Sequence, residues 1–432
     1  MSRLPAIEPQ PPLVSGNLPW VGAGFGLLRD PTAFFQQARE KHGDTYVVDA
    51  FGYRLLCVFS PEGVRNLWAV PEAQASKGLA DYALLRHKVP DELFAGRRTF
   101  PHDLFRSDDT STYLKNLEQA VEEQLDELGS SGEIELFDLT RRLGHRVGLA
   151  SWGGVVGDCS HYLDRLIPAL DRLDASDSFV HPHRGLIAVA TRKRAAHRAI
   201  ATLDETFGEI ISKRQGQPAD TNDLFSRICA KWDDVESPAR GAGIARDVVL
   251  VHMGSQSNLF AAMAWTLIHF IERPELIEQA RSDSSLIDRV AFESIRLRQR
   301  SIVLRQVLKS TELSDEKTTY RAGPGVFLAT MMSVTNTTAG PGLDVFDPGN
   351  YRGPRFNRAG ELSAKELVTT FGHGKHSCPA QVFSVSAIRH SVGRLLDRYS
   401  LVKRFRDPQP LRRQLGGVAR ADRPCRVAYR LR

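Results

Sequence analysis

The sequence predicts a mainly α-helical protein with a minor β portion drawn from both ends of the chain. Three observations carry this. From about residue 104 to 271 the apolar pattern is mainly helical, broken by polar loops near 129–132, 181–185 and 216–223. A long apolar segment at 248–271 is suited to pass through a core. Strand-like runs lie outside this region, near 45–59 and again near 303–309 and 325–331. No internal repeat or low-complexity linker divides the chain, so a single domain over 1–432 is expected, with 1–20 as an N-terminal loop segment.

In chain order, Pro11, Pro12, Gly16, Pro19 and Gly22 mark the opening stretch as loop. A helical pattern follows from Pro31. The runs 45–50 and 54–59, separated by Phe51, Gly52 and Tyr53, read as a β-hairpin. The segment 248–271 has about 24 residues and would be roughly 36 Å long as a helix. Asp247 stands where an N-cap would, and Arg273-Pro274 ends the run. Within it lie His252, Ser255, Gln256, Ser257 and Asn258. Polar groups in a buried helix need partners or a cavity, so one face meets either a polar loop or a ligand pocket. The last long helix is expected over 379–399, with Pro379 in its first turn.

Composition bounds the function. The chain has 432 residues, 42% apolar and 25% charged, which excludes disordered, collagen-like and disulfide-scaffold classes. The net charge of +6 permits a basic face but does not argue for nucleic acid. Five cysteines, an odd number at long spacings with no CxxC pair, fit a reducing compartment, and a cytoplasmic protein is expected. The N-terminal residues lack the apolar core of a signal peptide, and no run of 18 apolar residues suggests a membrane span.

The segment from Phe371 to Gln381 holds Gly372, Gly374, His376, Cys378, Pro379 and Ala380. Two glycines allow a tight turn and close backbone approach to a flat ligand. A cysteine just before a helix start has N–H groups and a positive helix end near its sulfur, which favours thiolate. Such a thiolate can serve as an axial ligand to haem iron. Cys57, Cys159, Cys229 and Cys425 read instead as small buried hydrophobes. Glu293 and Arg296, three apart on one helical face, would alone be an ordinary ion pair. Arg305, in a strand-like run nine residues on, would alone be unremarkable.

Together, in this order and spacing, these residues resemble the cytochrome P450 family of haem-thiolate enzymes. Phe371, Gly374, His376, Cys378 and Ala380 match its cysteine loop, and Glu293 and Arg296 match its Glu-x-x-Arg pair. The segment from Asp347 to Phe356 is similar to the one that supplies a third member, Arg355; an alternative alignment puts Asn350 there. The resemblance spans nearly the whole chain and implies the cytochrome P450 fold as one haem domain. It implies haem b (iron protoporphyrin IX) as cofactor, with Cys378 as the axial ligand. Phe371 would pack beside the haem near the sulfur. His376 and Arg305 would bind the propionates, and Gly372 and Ala380 would border the ring. Glu293, Arg296 and Arg355 would form a buried network that shapes the loop. Ala380 replaces the commoner glycine, a change of small consequence.

The central helix departs from the family. Where an acid–alcohol pair relays protons to iron-bound dioxygen, the aligned residues are Ser257 and Asn258, with Gln256 beside them. These can hold a water but are poor proton donors. The stretch is similar to the subgroup of sterol 7- and 12-hydroxylases and prostacyclin synthase, whose members either hydroxylate or rearrange a peroxide. Two functions therefore stand. One is a monooxygenase oxidising an apolar small molecule of secondary or lipid metabolism, with electrons from a separate, ferredoxin-type partner. The other is a reductant-independent isomerase, dehydratase or group-transfer enzyme acting on an O–O or N–O bond. The loops 100–111 and 181–194 would border the pocket mouth. His181, His183 and Arg184 read as surface residues.

Overall fold

In the computed structural model of the chain the expected hairpin forms. Strands Thr45–Ala50 and Tyr53–Val58 pair antiparallel, with Thr45 opposite Val58 and Ala50 opposite Tyr53. Tyr46, Val48, Leu55 and Cys57 point to one cluster with Phe35 and Phe59; Val47, Leu56 and Val58 point to another with Leu67 and Val307. Both faces are covered, which is why the strands read as nearly continuous apolar runs. The structure describes residues 4–432 except 15, 17, 100, 106–109, 175–186, 216–222, 237, 354–355 and 357–360. The chain divides into two compact units, described in turn.

The first unit comprises Met1–Arg86, Phe292–Ser377 and Pro410–Ala419. Its main sheet has six strands in the order Leu13–Val14, Thr45–Ala50, Tyr53–Val58, Phe327–Met331, Ile302–Val307 and Ala75–Ser76. Phe327–Met331 runs parallel to Tyr53–Val58 and antiparallel to Ile302–Val307, with Arg305 opposite Leu328. The strands expected near 303–309 and 325–331 are thus present, slightly shorter, because Gly325 at φ +90° belongs to the preceding turn. Helices Pro31–His42 and Pro61–Ala69 each start on a proline. The Ala33 N–H donates to the Asp30 side chain at 3.1 Å and the Gly63 N–H to Ser60 at 3.0 Å, so both helix starts are capped. The helix Ser285–Arg298 belongs to this unit from Phe292 onward and carries Glu293 and Arg296.

The second unit comprises His87–Ala291, Cys378–Gln409 and Arg420–Arg432. Its central helix is Ala239–Glu272, of 34 residues, and begins well before the expected 248. Asp247 therefore does not cap it. Its buried carboxylate accepts from Trp232 Nε1 at 2.8 Å and from the Thr99 N–H and hydroxyl at 2.9 and 2.6 Å. The first turns escaped notice because they are polar and glycine-bearing. Gly243 is needed there, since a Cβ would stand 2.3 Å from the Trp232 ring. The central helix packs on Leu136–Trp152 at two more glycines: a Cβ on Gly144 would meet Phe260 at 2.3 Å, and one on Gly148 would meet the His252 ring at 3.1 Å. Within the stretch read as helical, Ser131–Glu135 is a strand. It joins Arg426–Leu431 and Tyr399–Lys403 in a three-stranded sheet. The last helix runs Gln381–Arg398, so Cys378 lies in the turn before it. Cys57, Cys159 and Cys425 are buried, as expected of small hydrophobes, and Cys229 is half-buried.

Candidate active site

In the first unit Arg296 grips Glu293 in a two-pronged bond, Nε to Oε2 and Nη2 to Oε1, both 2.7 Å, and neither side chain is exposed. Arg296 Nη1 donates onward to the carbonyls of Asn336 at 2.6 Å and Leu343 at 2.5 Å. Glu293 Oε1 also accepts from the Asp347 N–H at 2.9 Å and from Asn350 Nδ2 at 3.0 Å. Among the described residues the side chain that joins the pair is Asn350, the residue of the alternative alignment. Arg355 lies outside the described residues.

Asn336 carries this network toward the cysteine loop. Its amide donates to the Arg296 carbonyl at 3.0 Å and the Thr369 carbonyl at 2.9 Å, and its oxygen accepts from the Thr369 N–H at 2.8 Å. The Thr369 hydroxyl accepts from the Gly372 N–H at 2.8 Å. Gly372 sits at φ +83°, where a Cβ would stand 2.4 Å from the His376 carbonyl oxygen. The loop closes only with glycine there. Phe371 packs edge-on against Phe292, 5.7 Å between ring centres.

Arg305 and His376 both face Glu72, at 3.5 and 3.9 Å. Arg305 is 1% exposed and donates to the carbonyls of Ala75 and Leu67. Burial lowers its pKa, partly offset by Glu72. Burial also lowers the His376 pKa, helped by the Arg305 charge. Burial alone would raise the Glu72 pKa, but the Ser76 hydroxyl, the N–H groups of Lys77 and Gly78, and Arg305 hold it down. Two potential cations thus share one half-exposed carboxylate, which leaves donor capacity for a further carboxylate.

In the second unit Cys378 is half-buried. Burial raises its thiol pKa, and the Ala380 backbone N–H opposes that rise. The central helix shows an open stripe in its middle: Gly254 and Asn258, one turn apart, are exposed, while Val251, His252, Leu259 and Phe260 are buried. No atom lies within 4 Å of where a Gly254 Cβ would stand. Ser257 is half-buried beside this stripe. Gln256, two residues from either end of it, projects from the opposite side and is 1% exposed. Among the described residues neither of its amide atoms has a hydrogen-bond partner.

Glu72, Asn336 and Thr369 were not read from the sequence. Each acts through partners distant in the chain, and no local pattern marks them. His181, His183 and Arg184 lie outside the described residues, as do parts of both loops expected at the pocket mouth.

The residues fit a haem. The first unit offers cationic donors for carboxylates and a glycine-tightened loop. The second offers a sulfur with a backbone N–H on it and a helix stripe with open space beside a glycine. Cationic donors for carboxylates, and a sulfur just before a helix, are each features that a haem-thiolate oxidoreductase requires.

No family model matches the chain. It is 20% identical over 453 residues to human 24-hydroxycholesterol 7-alpha-hydroxylase, covering 98% of this chain and 94% of that protein. It is 21% identical over 481 residues to mouse cytochrome P450 7B1, covering 98% and 90%. Lanosterol 14-alpha demethylase of Mycosarcoma maydis is 21% identical over 295 residues, covering 62% and 52%. Over nearly its whole length the chain is thus similar to cytochrome P450 enzymes, and its cofactor is haem b.

Proposed function

We propose that the enzyme is a monooxygenase that hydroxylates a sterol-sized, apolar molecule with dioxygen and external electrons. The observation that carries this reading is the end-to-end likeness to a sterol hydroxylase, which reaches 98% of this chain. When bound, the haem, held by Cys378 as thiolate, supplies the dioxygen chemistry. Arg305 and His376 offer charge-assisted hydrogen bonds to its carboxylates. Glu293, Arg296 and Asn350 fix the backbone of the first unit by way of Asn336 and Thr369. Gly254 keeps space open beside the central helix. Asn258 and Ser257 orient a water or a polar substrate group by hydrogen bonding, but neither carries a proton to deliver near neutral pH. In this reading the proton reaches the site through ordered water, and electrons come from a separate ferredoxin-type protein.

The reductant-independent alternative rested on the missing acid–alcohol pair. The relatives are named for hydroxylation and demethylation and give it no support. The deciding experiment is to screen sterols by the absorbance change on binding, then compare turnover with and without reductant and redox partner. Hydroxylated product that requires reductant supports the reading; equal product without reductant overturns it.

A further inference from the structure

Arg296, Arg300 and Arg305 lie within ten residues of sequence in the first unit, and their surroundings differ. Arg296 and Arg305 are deeply buried, with their N–H groups directed at carbonyls and at a glutamate. Arg300 is also partly withdrawn from solvent, but among the described residues its only hydrogen-bonded side-chain partner is the Thr32 hydroxyl, which accepts from Nη1. Its Nε is buried without a partner. Among the described residues no carboxylate lies within ion-pairing distance of it. Burial lowers its pKa, offset only in part by the charge of Asp30. Asp30 is itself engaged as the cap of Pro31–His42.

The backbone holds this arginine in place. The Arg300 N–H donates to the Gly417 carbonyl at 2.7 Å, and the Arg300 carbonyl accepts from Gly416 at 2.9 Å. The Ser301 hydroxyl accepts from the Gly417 N–H at 2.9 Å. Thr32 and Ser333 hydroxyls lie 2.7 Å apart, so one hydrogen bond joins them and the pair keeps donor capacity. Arg300, Ser301, Thr32, Gly416 and Gly417 are all half-buried, so this neighbourhood is reachable from solvent rather than sealed in the core. A guanidinium removed from water needs an anion or a full set of acceptors. This neighbourhood supplies neither. Its free donors form a fork that suits a carboxylate.

We propose that Arg300, backed by the Thr32 and Ser333 hydroxyls, receives the carboxylate of an amphipathic substrate, so that the enzyme favours a steroid acid over a neutral steroid. This rests on the reading of the chain as an enzyme for sterol-sized molecules. No bond is made or broken at this arginine.

The test uses the haem-loaded enzyme and three probes: a cholanic acid, its methyl ester, and inorganic phosphate. Binding is read by absorbance change and, independently, by the shift of the thermal unfolding midpoint. The acid should bind about tenfold or more tightly than the ester. Arg300→Leu should abolish that preference and leave ester binding within about twofold. Arg300→Lys, which keeps the charge but not the fork, should retain part of it and covers the case in which the leucine variant does not fold. Equal binding of acid and ester overturns the assignment while leaving the sterol reading intact. So does a preference that survives in both variants. Stabilisation by phosphate that depends on Arg300, without preference for the acid, reassigns the arginine to a free anion and overturns the substrate role. Binding of neither steroid overturns both readings.

Discussion

His145 Nδ1 and His252 Nε2 stand 2.8 Å apart, with their rings stacked 5.0 Å between centres at an angle of 15°. The other nitrogen of His145 is 3.0 Å from Asp171, whose second oxygen accepts from Arg141. A carboxylate only accepts, so His145 Nε2 carries a proton. With His145 neutral, its Nδ1 accepts and His252 Nε2 donates. The remaining His252 nitrogen is buried and has no partner among the described residues, as is true of the indole N–H of Trp152, whose ring lies 5.9 Å away.

This pair makes stability pH-dependent. Burial, then the neighbouring His145, holds the His252 pKa well below its ordinary value. The unfolded chain binds a proton there that the folded chain resists. Stability is therefore lost as pH falls below about 6.5, by up to about 1.4 kcal/mol per pH unit. Asp171 acts in a lower window. Burial alone would raise its pKa, but His145 and Arg141 bring it below the usual value. Its contribution is present above the unfolded pKa of about 4 and is lost as pH falls through its folded value. Unfolding midpoints measured from pH 8 to 5.5 should fall more steeply for the wild type than for His252→Gln. Parallel curves would exclude His252 as the source.

Cys378→Ser should remove thiolate ligation, because a hydroxyl is a weak, neutral ligand. The reduced carbon-monoxide complex should lose its strongly red-shifted Soret band. A variant that keeps the band would place the ligand elsewhere.

Glu293→Ala leaves Arg296 buried and unpaired, at a cost of roughly 3–5 kcal/mol. Asn350→Ala removes one hydrogen bond to a charged group and should cost less, about 1.5–3 kcal/mol. Thermal unfolding and haem content of the two purified variants should rank in that order. The reverse ranking would show that Asn350, not the ion pair, holds this part of the unit.

Gly372→Ala combines a left-handed backbone with a Cβ 2.4 Å from the His376 carbonyl. Gly374, at φ +56°, has nothing within 4 Å of its Cβ position. Gly374→Ala should therefore cost only the backbone strain, about 1–2 kcal/mol, and Gly372→Ala clearly more. Equal unfolding midpoints for the two would mean that the loop relaxes freely around residue 372.

Asn258→Thr introduces a hydroxyl on the open stripe of the central helix. With a reductant-driven enzyme it should preserve turnover and lower the share of electrons lost as peroxide. Asn258→Ala should alter the substrate-binding spectrum or raise peroxide release. If it changes neither of these nor product yield, Asn258 has no part at the site.

The features legible in the sequence were those written in short spans. The hairpin shows in residues 45–59, the ion pair in 293–296 and the cysteine loop in 371–381. Asp247 misled because a carboxylate before an apolar run resembles a cap. Its partners, Thr99 and Trp232, become visible only once the chain has folded. The same holds for Glu72, which Arg305 and His376 share from more than 230 positions away. Asn350 joins Glu293 across 57 residues, in a loop-like segment whose sequence does not mark which residue makes that contact. The pairing of His145 with His252 joins two helices 107 residues apart, and neither histidine carries a local signal of its partner.

The order of synthesis follows from the six-stranded sheet. Leu55, Leu56 and Cys57 pair with Phe327, Leu328 and Ala329, roughly 270 residues later in the chain. At a ribosomal rate of about 5–20 residues per second, the hairpin emerges tens of seconds before the strand that completes its sheet. Through that interval the apolar edge of Tyr53–Val58 has no partner from its own fold. A bare edge of this kind pairs readily with other chains. Through translation, then, the chain depends on that edge being shielded until Phe327 and its neighbours arrive.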